Sequence, residues 1–166
     1  MSKTKLEISK ENGQHARLAS LTGSWEGITS TWFEKDVLAD ESPMHAKITL
    51  ILDDRFLSYD YQGSLNGKAF EGKMLWGYNL GTQQCECSWI DTFHMGTGQM
   101  FSVGSETGSG FSVLGSYGGE GIPEPWGWRT ELEIINTDQF AITAFNISPA
   151  GDEAKATATI YHRIKL

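Results

Sequence analysis

Trp89, Asp91 and His94 lie within a single short stretch, Ser88-Trp-Ile-Asp-Thr-Phe-His-Met-Gly-Thr-Gly98. No other segment of the 166-residue chain mixes bulky apolar and ionisable groups so densely. A carboxylate three residues before an imidazole can fix the ring's tautomer and raise its basicity. Such a pair beside an indole would serve as a polar anchor for a small molecule, or as a general base. The spacing has a plainer reading too. Asp91 can cap the Thr92–Gly96 turn through backbone N–H groups, with His94 an ordinary loop histidine. Both readings stand at this level.

Other candidates cluster by alternation. Tyr59 and Tyr61 share one strand face, Trp76 and Tyr78 another, and Trp126 and Trp128 a third. Aromatics at alternate positions form either a core or the lining of a ligand cavity, and a buried indole N–H demands a partner. Arg129 falls on the face opposite Trp128, where it would pair with Glu131 or Glu133; a bulge at Gly127 would instead turn it inward as a clamp for a ligand carboxylate. Asn146 shares a face with Ile142 and Ala144 and is expected to be buried in need of a partner. Cys85 and Cys87, next-but-one on a strand, would strain a disulfide, so they are expected as reduced thiols. They have no second Cys or His pair with which to hold zinc. Nucleophile elbows, phosphate-cradling loops and His-Glu-x-x-His are absent.

Strands must position these residues. Period-2 alternation marks about ten of them, over 24–33, 44–52, 56–63, 69–79, 83–91, 99–104, 110–117, 126–135, 139–147 and 153–164. Asn66-Gly67 is a type I′ hairpin signal. The acidic run 34–43, closed by Pro43, and the Gly/Pro-rich run 118–125 read as loops. Residues 1–13 read as a flexible segment, and 14–21 as a short helix serving as a plug or a lid. Short links favour an up-and-down meander, and closing it removes the exposed edges. The expected fold is therefore all-β: a closed antiparallel barrel of about ten strands with a short N-terminal helix, forming one domain over 14–166.

The net charge of −8 and the lack of any Lys/Arg run argue against nucleic-acid binding and adhesion to anionic membranes. There is no apolar run for a signal peptide or a membrane span, so a cytoplasmic location is expected.

Gly23-x-Trp25 opening the first strand resembles the short signature of the calycin group, the lipocalins and fatty-acid-binding proteins. In that group the tryptophan lies across one barrel end under a basic residue of the last strand, here Arg163. A longer resemblance runs from about Leu18 onward. It includes Gly77-Tyr-Asn-Leu80, the Ser88–Gly98 stretch, Phe111-Ser-Val-Leu-Gly115, Pro125-Trp-Gly-Trp-Arg-Thr-Glu131 and Ile142-Thr-Ala-Phe-Asn146. These segments resemble a bacterial family of unknown function with a lipocalin-like barrel, which implies a fold and supplies no activity or site residues. Barrels of this general kind include haem-binding members with a histidine ligand. His15, His45, His94 and His162 are the histidines available, none in a haem motif, and no cofactor is expected. The leading expectation is a binding protein holding a small, partly apolar molecule. The alternatives are an enzyme using Asp91 and His94, and a filled barrel with a structural role. A homodimer through exposed strand faces is compatible with all three.

Overall fold

The computed structural model describes residues 2–166. Every strand pairs antiparallel with its neighbours in sequence: β1 (Gly23–Glu34), β2 (Val37–Ile51), β3 (Phe56–Leu65), β4 (Lys68–Asn79), β5 (Gln84–Asp91), β6 (Met100–Glu106), β7 (Gly110–Gly119), β8 (Ile122–Asn136), β9 (Gln139–Ile147) and β10 (Glu153–Arg163). The barrel closes through β1 and β10, in the expected up-and-down order. Asn66 and Gly67 both take positive φ, as a type I′ turn requires.

The closing ladder sets Trp25 directly opposite Arg163. The Arg163 guanidinium sits 4.1 Å from the Trp25 ring and donates to the carbonyls of Thr22 (2.6 Å), Ser20 (2.8 Å) and Thr137 (3.0 Å). The Trp25 indole N–H donates to Leu21 O at 2.8 Å. One arginine of the last strand thus ties together the first strand, the β8–β9 turn and the segment leading in.

Two helices cap this end, α1 (Lys5–Asn12) and α2 (Gln14–Ala19). The segment read as flexible is therefore helical from Lys5; Met1 of that segment lies outside the described residues. Its start is a reciprocal capping box: Thr4 Oγ1 accepts from Glu7 N–H, and the Glu7 carboxylate accepts from Thr4 N–H. The signal was present as Thr-x-x-Glu, in a stretch too polar to show an apolar face. His15 Nδ1 and Ser9 Oγ, both buried, are 2.8 Å apart and pin the two helices. Arg17 bonds the carbonyls of Thr107 and Gly108, while Leu18 and Leu21 are buried at the barrel floor. The helices are a plug, at the end opposite Asp91.

Both expected loops are strands. β2 starts at Val37 after a tight turn at Asp36 (φ 60°), and β7 and β8 meet around Glu120-Gly121. These hairpins overshoot the barrel rim, so both their faces meet water, and even Phe33, Val37 and Leu38 are exposed there. Pro43 lies inside β2 where only β1 runs beside it, and Pro123 and Pro125 precede the point where β9 joins β8. A proline without an N–H is tolerated at such edges.

Arg163→Ala is expected to cost about 2–4 kcal/mol, the sum of a part-buried cation–π contact and lost charged hydrogen bonds. Arg163→Lys should recover less than half, because lysine lacks the planar fork. Urea denaturation of the two variants measures both.

Candidate functional site

Asp91 ends β5, and its side chain is fully buried at the open mouth of the barrel. One carboxylate oxygen, Oδ1, accepts the N–H groups of Phe93 (3.2 Å), His94 (2.6 Å) and Met95 (2.9 Å). The other, Oδ2, lies 2.5 Å from His94 Nδ1. Asp91 therefore makes both of the contacts expected of it, one per oxygen: it caps the turn and it orients the imidazole. Burial alone would push its carboxyl up. The His94 ring and the N–H groups of Met95 and His94 outweigh that and hold it below the ordinary carboxylate range, so it is ionised.

A second chain of bonds meets the same oxygen. The Trp89 indole N–H donates to the Tyr61 hydroxyl at 2.7 Å, and that hydroxyl faces Asp91 Oδ2 at 3.4 Å. Burial and the Asp91 charge drive the Tyr61 phenol far above its ordinary value, so it stays a neutral donor. Gly72 makes this possible: a Cβ there would stand 2.2 Å from the Tyr61 hydroxyl and 2.7 Å from Asp91 Cβ. Sequence alone could not distinguish this glycine from those in turns.

The His94 ring is enclosed by Phe93 (centroids 4.6 Å apart), Trp89 (5.3 Å), Trp128 (5.8 Å) and Phe70 (6.3 Å). Trp89 and Trp128 stack at 5.3 Å. The buried indole N–H of Trp128 has no hydrogen-bond partner. Beneath lies a cavity of about 60 Å³, floored by threonines of β1, β8 and β10, with the Thr29 and Thr159 hydroxyls 2.6 Å apart. That is room for a few waters, less than half of the roughly 150 Å³ of a cavity that holds benzene and well short of a drug-sized pocket. The floor was missed because threonine at inward positions reads as ordinary strand sequence; its signal was the alternation Thr29/Thr31 and Thr157/Thr159 on closing strands.

The structure gathers Trp89, Asp91, His94, Tyr59, Tyr61 and Trp128 around this mouth. The other candidates lie elsewhere. Trp76 is in the core, stacked on Tyr59 at 4.8 Å; its indole N–H is also unpartnered, and it lies beside the Cys87 thiol. Tyr78 is at the plugged end, edge-on to His15. Trp126 shares Trp128's face but stands beyond the rim, 36% exposed. Arg129 points outward over Phe145, paired with Glu131 and Glu153; β8 keeps its register at Gly127, so no bulge turns the guanidinium inward. Asn146 finds its partner in the Tyr117 hydroxyl at 2.7 Å. Cys85 and Cys87 are free and buried, their thiols pushed up by burial to about 11 and about 12. Of the histidines, His15 belongs to the plug and His45 and His162 are exposed, which leaves His94 as the one that reaches the cavity.

A larger concavity of about 920 Å³ lies on the outside of the wall, across β1 to β5. Its lining alternates Lys47, Asp60 and Lys73 with His45, Gln62 and Glu71, the solvated outer residues of adjacent strands. It lies on the other side of the sheet from the His94 cavity. Among the described residues no three His, Cys, Asp or Glu side chains converge to hold a metal, and no helix is long and apolar enough to cross a membrane.

The geometry defines a closed, ten-strand lipocalin-like barrel with a histidine-bearing mouth. The chain belongs to the family described as "Protein of unknown function (DUF1579)", whose pattern matches residues 10–163. No curated protein matches its sequence. Among solved structures it is similar to Rv2717c from M. tuberculosis, at 14% identity and a TM-score of 0.63, over 90% of this chain and 96% of that one. It is also similar to the S-type phycobiliprotein lyase CPES from Guillardia theta, at 12% identity and a TM-score of 0.59, over 99% of each chain. At these identities the likeness establishes the fold.

Because the folded Asp91 pKa is lowered, the unfolded chain takes up its proton first. The stability Asp91 contributes is full above the ordinary carboxylate value of about 4 and drains away as pH falls through the folded value. Asp91→Asn should cost about 2–4 kcal/mol at neutral pH through weakened charge-assisted bonds. It should also flatten the acid limb of a plot of Tm against pH, a change that calorimetry across that limb resolves.

Proposed function

We propose that this chain captures a small, partly apolar molecule in the mouth of its barrel and does not alter it chemically. The observation that carries the reading is the use made of Asp91. A buried carboxylate spends one oxygen on three backbone N–H groups and the other on His94, holding one imidazole rigidly at the edge of an aromatic cavity. A purely structural loop has no need to aim a histidine there. The unpartnered Trp128 N–H at the same wall supports the reading, since a buried donor left unpaired costs about 1–3 kcal/mol that a ligand acceptor would recover. Fold likeness to a phycobiliprotein lyase is compatible with a barrel that handles a ligand. A cytoplasmic location is part of the same proposal.

An enzyme using the same pair as a general base is the second reading, favoured by the 2.5 Å contact between His94 and Asp91. It requires turnover that depends on His94 and on pH.

Native mass spectrometry of protein purified from its own host tests the first reading. A stoichiometric extra mass that disappears on denaturation is expected. It should be lost in His94→Ala and reduced in Trp128→Phe, with Tm within a few degrees of the parent. Retention of that mass in both variants would overturn the proposal. Trp89→Ala is a poor probe, because removing a buried indole typically costs about 3–5 kcal/mol.

A further inference from the structure

We infer that the overshooting edge of β2 receives an extended segment of a partner protein as an added antiparallel strand, one in which a pair of basic residues precedes a pair of apolar ones. The inference draws on the rim alone and is independent of what the mouth holds.

The edge is the first observation. From Val37 to Ser42, β2 pairs with β1 on one side, and β3 joins the other side only from Met44 onward. Among the described residues no other main-chain hydrogen bond reaches this edge. The β3–β4 turn meets it through one side chain, Asp40, whose Oδ1 accepts the Asn66 N–H at 3.2 Å. A row of free N–H and C=O groups is a template for another strand. The β7–β8 hairpin also overshoots, but Pro123 and Pro125 remove N–H groups from that stretch of β8. On β2 the one proline, Pro43, stands at the inner end, next to the point where β3 begins.

Charge is the second. Glu34, Asp36, Asp40 and Glu41 flank this edge against a single Lys35. Asp40 and Glu41 accept from the hydroxyls of Ser42 and Ser30, and neither meets a cation. At the plugged end, by contrast, Glu11, Asp53 and Asp138 each have a Lys or Arg partner. Carboxylates along an edge keep it from pairing with a second copy, because self-pairing would set like charges opposite one another. The same carboxylates favour basic side chains in a strand that does add.

Apolar exposure is the third. An edge built only to repel would be polar throughout. Phe33, Val37 and Leu38 are instead each more than half exposed. The ladder gathers them at the tip, with Val37 opposite Glu34 and Leu38 opposite Trp32. The chain holds its own example of a basic group on this ribbon, since Lys155 Nζ lies 5.4 Å from the Trp32 ring.

Order along β2 then sets the order in the partner. Val37 and Leu38 come first, Ala39 separates them from Asp40 and Glu41, and an antiparallel strand meets these in reverse. It therefore needs two basic residues, one spacer and two apolar residues, with main-chain bonds supplying affinity and the side chains specificity.

The test titrates the isotope-labelled full chain with a blocked peptide of about seven residues, Thr-Lys-Arg-Thr-Val-Val-Thr, followed by amide NMR. The amides of Val37 to Ser42 should shift, and their hydrogen exchange should slow. A peptide with Glu-Glu for Lys-Arg should shift nothing. Replacing Val-Val by Ser-Ser, or methylating the peptide nitrogens that face β2, should each weaken binding about tenfold. Val37→Ser with Leu38→Ser should weaken the parent peptide by a similar factor. Ile28→Ser with Ile160→Ser, an exposed pair on the side of the barrel, should leave it unchanged. Shifts that map away from this edge, a Ser-Ser peptide that binds as tightly as the parent, or self-association of the chain through the same amides would each overturn the inference. So would silence of these amides under excess parent peptide.

Discussion

Closure of β1 onto β10 is the interaction on which the rest of the barrel depends. A ten-strand meander left open would present two long edges of unpaired N–H and C=O groups, and closing the sheet removes both at once. Closure also fixes register. Pairing Trp25 with Arg163 at one end forces Thr29 against Thr159 and Thr31 against Thr157 further along the same ladder. The cation–π contact that locks the floor and the threonines that line the cavity are therefore two consequences of one alignment. A slip of a single residue would turn both outward.

The two ends of the barrel solve opposite problems. At the floor, helices α1 and α2 lay Leu18 and Leu21 over the opening, and arginines on both sides satisfy the exposed carbonyls. Among the described residues, the buried side-chain polar atoms left without a partner are the indole nitrogens of Trp76 and Trp128, neither of them in the plug. At the mouth, the loop after β5 folds back on a single carboxylate, and the space between it and the floor is only partly filled. Polar groups are concentrated at this end: the ionised Asp91, the oriented His94, the neutral Tyr61 and the unpaired Trp128 N–H. A buried network of this kind is costly unless nearly every member is satisfied. Here the one unmet demand is on Trp128, a residue of the same cavity wall that the histidine edges.

Aromatic packing explains why the interior is small. Tyr59 stacks on Trp76 and meets Tyr161 through paired hydroxyls 2.6 Å apart, and Phe140 stacks on Tyr161 and meets Trp25 edge-on. This column fills the lower barrel and leaves space only above Tyr59. The fold shared with Rv2717c and with the phycobiliprotein lyase thus sets the outline of a container, while this chain's own side chains set how much of it is open.

The strand count, the up-and-down order and the closed barrel were legible in the sequence, because alternation and turn chemistry are local signals with a period of two; the Trp25–Arg163 pairing was legible only through the resemblance of Gly23-x-Trp25 to the calycin signature. The sequence determined equally that the Trp89–His94 stretch is where ionisable and aromatic groups meet. What it did not determine was depth and direction. Loops at 34–43 and 118–125 were inferred from polar composition, yet those segments are strands that overshoot the rim, where both faces meet water. Trp76, Tyr78 and Trp126 shared inward faces with true mouth residues, and only their height along the barrel axis separated core, plugged end and rim. Arg129 needed a bulge to turn inward, and the ladder with β7 shows none at Gly127. Gly72, the threonine floor and the double duty of Asp91 depend on contacts between strands far apart in sequence. Tertiary structure decided these, because a side chain's neighbours across a sheet follow from register and tilt, which no single strand records.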